Sequence, residues 1–397
     1  MKKYMIAAFA AMVSVIPAAG QAAYGDPIDG VLREIEAHNT TLEALRQTAE
    51  AQKLENRTGI TLSDPEIGFS YLWGGPAAIG NRQDVSVTQS FDFGTLTGLK
   101  GKVAAQRNEL VEWQYKADRM NILLEAKLCC IDLIYWNALI RSLETRVTGA
   151  ESIAESQRRR LEHGEGNILA YNNIVLDLAT AKNEMMRAEA ERDAVLSQLS
   201  RLNGGQGVEL SDSEYGTPEF PENFESWYAE AEAKNPVLAY VRQEIEVNRK
   251  ELSLSRTGNL PSLSVGYMGE FTLGQRYQGV SVGISVPLWS NARRVRQAKA
   301  AVQAAQSREK DAKQQFYSNL EAQYLRASGL KSVAENSRGT LEASDNRELL
   351  KKAMEAGEIS VPDYLVGIGL YHDALKQTLE AEREYQRAYA ELSAFEL

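Results

Sequence analysis

Residue types that could make or break bonds are few in this chain and poorly spaced for it. Its two cysteines are the neighbours Cys129 and Cys130, and its three histidines are His38, His163 and His372. Adjacent helix positions point in different directions, so the cysteines suit neither a mutual disulfide nor a shared metal. No histidine has a second His or a Cys at ligand spacing. His-Glu-x-x-His and phosphate-binding loops are missing, and Gly164-Glu-Gly166 is too short to stand for the last. The expectation is no enzyme, no cofactor and no metal site. One carboxylate is well placed. Asp363 ends Ser360-Val-Pro-Asp363, which reads as a capping box with proline in the first turn and an acid at the positive helix end.

What positions such residues is a duplicated unit. The first copy begins near Asn39 and reaches Pro65 and the alternating run Ile67-Gly-Phe-Ser-Tyr-Leu-Trp73; the second begins near Asn235-Pro236 and reaches Pro261 and Leu263-Ser-Val-Gly-Tyr-Met-Gly269. Val85 to Phe93 lines up with Val280 to Leu288, and after a long helix Leu161-Glu-His-Gly-Glu165 lines up with Met354-Glu-Ala-Gly-Glu358. Leu110, Ala117, Leu124, Ile131 and Ala138 recur every seven residues, as do Leu320, Ala327, Ala334 and Leu341, the mark of helices packed along their length. Between Leu96 and Leu161 there is no proline. A helix of that span is roughly 100 Å long at 1.5 Å per residue, beyond any globular domain.

In the strands one face is largely apolar (Ile67, Phe69, Tyr71, Val85, Val87, Leu263, Val265, Val280, Val282, Ile284) and the other small and polar. A half-buried sheet covered by helices would alternate in this way. Strands of about ten residues with aromatics at their ends (Trp73, Phe91, Phe93, Phe271, Tyr277, Trp289) instead match the length and interface girdles of a membrane barrel. Four strands cannot close a barrel, and lipid tolerates no open edge, so further copies are needed; three give twelve strands. The chain opens with a basic, an apolar and a small-residue region, the form of an export signal over 1–22. Removing it with Lys2 and Lys3 takes the formal charge from −10 to −12. An acidic, exported chain is a poor nucleic-acid binder.

The strand-strand-helix-helix plan, Gly279-Val-Ser-Val-Gly-Ile-Ser-Val-Pro-Leu-Trp289 with the following Arg294-x-x-Gln297-Ala298, and the Ala356-Gly-Glu-Ile-Ser360 turn resemble the TolC family of outer-membrane efflux factors. That resemblance covers nearly all of the mature chain, with repeats at 23–202 and 237–397 joined by an equatorial segment at 203–236. It implies a mainly α fold with membrane β: a homotrimer whose twelve-stranded barrel, four strands per chain, continues as a long periplasmic α-helical barrel. The implied function is an exit duct of a tripartite efflux or type I secretion system in the outer membrane of a Gram-negative bacterium. Its implied partners are outer-membrane lipid, a periplasmic adaptor and an inner-membrane pump of the RND type.

The same resemblance implies that Arg160, Gly164, Glu165, Gly357 and Glu358 form adaptor-contact tips. Arg160 stands four residues before Gly164, as in the family's Arg-x-x-x-Gly tip motif, but Ala353 occupies the matching place in the second copy, so the motif is present once. It also implies that Asp363 lines a periplasmic pore gate, threefold symmetry making a ring of acids that attracts cations. A plain helix cap remains the other reading of Asp363. Ala170 occupies the matching place in the first copy, and Val366 stands where a second acid is frequent. A periplasmic adaptor is the rival assignment, and it requires one hairpin between β-rich domains rather than two strand-led repeats.

Overall fold

The computed structural model describes residues 27–289 and 291–397; the expected export signal lies outside them. The first copy contains α1 (Pro27–His38), α2 (Thr40–Asn56), β1 (Glu66–Leu72), β2 (Arg82–Phe91), α3 (Phe93–Leu96), α4 (Leu99–Glu162) and α5 (Ile168–Leu202). The second contains α6 (Phe224–Lys234), α7 (Pro236–Thr257), β3 (Ser262–Thr272), β4 (Gln275–Ser285), α8 (Arg294–Ala343), α9 (Arg347–Glu355) and α10 (Val361–Leu392). Each copy turns its first helix pair on an asparagine. Asn39 Oδ1 accepts from Leu42 N at 2.8 Å, and Asn235 Oδ1 accepts from Val237 N and Leu238 N at 2.9 and 3.1 Å. These caps satisfy amides that the helix itself leaves open, so the kink is written into the residue type.

At 64 residues α4 is roughly 95 Å long. It packs lengthwise on α5, and α8 packs on α10, giving two hairpins. Leu320, Ala327, Ala334 and Leu341 are buried at seven-residue steps, with Ala298 and Ala305 continuing the line toward the sheet. Alanine at a seam lets backbones approach closely, and the rest of α8 is left largely exposed. No single core exists. Four apolar clusters line the bundle, the largest gathering Ile28, Ile35, Cys130, Ile131, Leu133, Leu199 and Ala390, and the smallest holding Ile153, Ile174 and Tyr364 near the hairpin ends. Burial pushes the Cys129 thiol up, which keeps it protonated and inert.

The strands form one antiparallel sheet in the order β1-β2-β3-β4, so the two copies meet where β2 pairs with β3. β1 and β4 are open edges. Two expectations need correction. β1 has seven residues rather than about ten. The second copy's long helix is also not continuous: Ser344-Asp345-Asn346 separate α8 from α9. Short polar side chains there compete with the helix for backbone groups. Asp345 Oδ1 accepts from Arg347 N at 3.3 Å, and its carboxylate takes the Arg347 guanidinium at 2.9 and 2.7 Å. Arg347 also lies over the Tyr371 ring at 4.4 Å, which fixes the new helix against α10.

Candidate functional site

Register decides what each face of the sheet can do. Ile67 pairs with Val87, Val87 with Tyr267 and Tyr267 with Val280, so these four share a face with Phe69, Val85, Val265, Val282 and Ile284. Phe69 is 67% exposed, Ile67 76% and Val280 79%. The sheet's extensive contacts among the described residues are strand to strand, so no helix covers this face and the covered-sheet alternative fails. On the opposite face, Ser70, Ser86, Ser264, Gly266, Ser281 and Gly283 make a small, polar surface. A Cβ at Gly266 would meet Val87 O at 2.6 Å, so glycine there is a packing requirement.

The six end aromatics are placed unequally. Phe91 and Phe271 lie on the apolar face of their strands, paired with Leu263 and Gln83. Trp73 and Trp289 stand just beyond β1 and β4 at opposite ends of the sheet, 82% and 81% exposed. Phe93 is in α3, not on a strand. Tyr277 contradicts its assignment as a lipid-facing aromatic. It pairs with Glu270 on the polar face, and its hydroxyl donates to Gln275 Oε1 at 2.7 Å.

At the far end the two hairpins turn on one hydrogen-bond plan. Gly164, at φ 78, donates its N–H to Leu161 O at 3.0 Å, and Glu165 donates to Arg160 O at 2.9 Å; Gly357, at φ 75, donates to Met354 O at 3.1 Å, and Glu358 to Ala353 O at 2.8 Å. Both are Schellman endings, which require a left-handed residue and so select glycine. Asn167 and Ser360 then cap the returning helices. Sequence reasoning missed Gly166, where a Cβ would lie 2.6 Å from Leu161 N, inside the turn's own backbone. Its signal was a second glycine two residues after the first. Of the three neighbouring arginines, Arg158 and Arg159 both pair with Glu155 and hold its carboxyl down to about 2. Arg160 is exposed and in no ion pair with a described residue.

Asp363 makes the capping box. Ser360 Oγ accepts from Asp363 N at 3.2 Å, while the carboxylate accepts from Ser360 N at 3.3 Å and Ser360 Oγ at 2.5 Å. Asp363 and Val366 are exposed on a side of α10 turned away from the Tyr364 cluster, and Ala170, the first copy's equivalent, is buried. Asp363→Asn keeps an acceptor for Ser360 N–H and removes the charge, whereas Asp363→Ala removes both. Hydrogen exchange in the first turn of α10 should therefore quicken in the alanine variant, by about 1 kcal/mol of local opening, and stay near wild type in the asparagine one.

Above the tips, α4, α5, α9 and α10 enclose a cavity of about 350 Å³ lined by Arg146, Asp177, Arg347, Lys351, Tyr364 and His372. Burial, with Arg146 and Arg347 nearby, pushes His372 down from its usual 6.5 to about 4 against the weaker pull of Asp177 and Asp373. The unfolded chain takes up this proton near 6.5 and the folded one only near 4. Stability from this site is thus complete above about 6.5 and declines as pH falls toward 4. Replacing His372 with Asn should flatten the melting temperature over that window; an unchanged slope would place the acid sensitivity elsewhere.

Residues 227–395 match the family model described as outer membrane efflux protein. The alkaline protease secretion protein AprF of Pseudomonas aeruginosa is 33% identical over 148 residues, 34% of this chain and 31% of that protein. The proteases secretion protein PrtF of Dickeya chrysanthemi is 22% identical over 255 residues, 59% of this chain and 55% of that one. The chain thus spans about a third and about half of these curated relatives. Among solved structures, the Campylobacter jejuni CmeC outer membrane channel superposes with a TM-score of 0.71 at 13% identity, covering 93% of this chain and 85% of that one. The open state of the Neisseria gonorrhoeae MtrE outer membrane channel superposes at 0.72 and 13% identity, covering 93% and 89%. The fold is that of these channel proteins along nearly the whole described length.

Proposed function

We propose that this chain, matched over residues 227–395 by the outer membrane efflux protein family model, is one subunit of a homotrimeric exit duct in a Gram-negative outer membrane. Three copies would close twelve strands into a barrel, and their hairpins would carry the lumen into the periplasm. The bare apolar face ending in two open strand edges carries this reading, because water and lipid both penalise such a sheet until a neighbour pairs its edges. Exposed Leu169, Leu176 and Met186 along α5 support it, since a soluble monomer gains nothing from an unpaired helical seam. The stretches 23–202 and 237–397 act as the two repeats, and 203–236 joins them at the equator. The rival adaptor plan, one hairpin between β-rich domains, disagrees with two hairpins hung from one sheet.

Arg160 and the Gly164-Glu165 and Gly357-Glu358 turns form the docking end for a periplasmic adaptor. Asp363 lines the constriction above it as a ring of three acids. Two partner classes fit the inner membrane side, the RND-type pump and a type I secretion complex. Both curated relatives are protease secretion proteins by name, which favours the second and a polypeptide cargo. The oligomer is tested on unheated gels in mild detergent. A trimer-sized band that collapses to a monomer on boiling supports the duct, and a monomer under both conditions favours the adaptor.

A further inference from the structure

On the helical side of the sheet there are four junctions between strand and helix, and the chain places an exposed cation at every one. Arg57 follows α2, Lys102 lies in the first turn of α4, Arg256 in the last turn of α7, and Arg293 and Arg294 open α8. None of these five side chains is in an ion pair with a described residue, and Arg296 and Lys299, a turn further on, are exposed and equally unpaired. The acids at this level are Glu55, Asp64 and Glu66, together with Asp92, which is already held by Lys100 at 3.1 Å. At the other end of the sheet cations do have partners. Arg82 pairs with Asp84 and Glu270 at 2.8 and 3.2 Å, and Arg276 lies over the Phe271 ring at 5.2 Å. In a chain of net charge −10, cations without ion-pair partners gathered at one end only are a marked asymmetry; Arg57 alone exerts a through-space pull, on Glu50, which Lys53 already holds.

Their depth identifies the counter-charge. The apolar face of β4 runs out through Ile284, Val286 and Leu288 to the exposed indole of Trp289, the residue type that settles at a membrane interface. Arg294 lines a cleft of about 630 Å³ with Leu288, Trp289 and Lys100. We propose that these cations form a collar that docks the phosphate headgroups of anionic phospholipids in the leaflet facing the helices. Guanidinium matches a phosphate in two hydrogen bonds, and a cation beside an anionic surface gains on the order of fivefold in occupancy. The collar rests on the reading of the sheet as membrane-spanning.

Wild type and an Arg57→Gln, Arg256→Gln, Arg293→Asn variant would be reconstituted in phosphatidylcholine nanodiscs with and without a quarter of phosphatidylglycerol. Asparagine suits position 293, where φ is 73. Lipids retained on release are counted by native mass spectrometry, and conductance confirms insertion. Wild type should retain phosphatidylglycerol above its input share, and the variant should lose on the order of fivefold of that enrichment or more while still conducting. Equal enrichment in both proteins overturns the collar alone. So does enrichment that inorganic phosphate competes away, which marks a free-anion site. Failure of both proteins to insert overturns the membrane reading and the collar with it.

Discussion

Arginine in place of Val280 is expected to abolish membrane insertion, while arginine in place of its neighbour Gly279 leaves insertion intact and narrows the duct. Val280 stands at the middle of β4 on the bare apolar face, 79% exposed and opposite Tyr267. A guanidinium at the bilayer midplane costs about 2–4 kcal/mol, and threefold repetition brings the total to on the order of 10, comparable with the whole stability of a domain. Gly279 pairs with Met268 on the other face, and a Cβ there meets nothing within 4 Å. Flotation with lipid vesicles separates the two variants, and the conductance of the Gly279 variant reads the lumen. Equal insertion of both, or equal failure, would mean that the faces are assigned wrongly.

Valine at position 166 should leave the barrel, trimer and pore intact and block export through the assembled system. The added Cβ would lie 2.6 Å from Leu161 N and 2.7 Å from its Cα, backbone atoms that cannot rotate away. The turn between α4 and α5 must therefore reopen, at a cost of about 1–3 kcal/mol, moving the left-handed Gly164 and the Arg160 carbonyl that define the tip. In the second copy Ile359 holds the matching place and packs against the Tyr364 cluster, so Ile359→Gly should be far milder for export. Secretion or efflux measured in cells, beside the level of unheated trimer, distinguishes the outcomes. Export that survives Gly166→Val with a normal trimer would remove this tip from the docking surface.

Local rules that act within a few residues were readable from the chain. Period-two alternation gave the strand faces, seven-residue spacing gave the seams at Leu320 to Leu341, and the paired Gly-Glu turns and the Ser360–Asp363 box are formed as their residue types require. Tyr277 failed for a reason that was also readable. The two-residue turn at Leu273-Gly274 shifts the parity between β3 and β4, so a residue three places before Val280 must face the other way. The break at 344–346 carries no proline or glycine, and only the bidentate Asp345–Arg347 pair shows why the helix ends there. Gly166 depends on a close approach to the Leu161 backbone, at which only its place two residues after Gly164 hinted. The cations at 57, 102, 256 and 293 are scattered along the sequence, and only the pairing of the four strands puts their junctions on one side of the sheet.

The most direct test of the duct is single-channel recording of the purified protein in a planar bilayer, with Asp363→Asn alongside. Discrete, cation-preferring steps of trimers, with the preference reduced in the variant while the pore persists, are the predicted result. Folded trimers that give no steps would contradict the duct itself, and an unchanged preference would leave Asp363 as a helix cap.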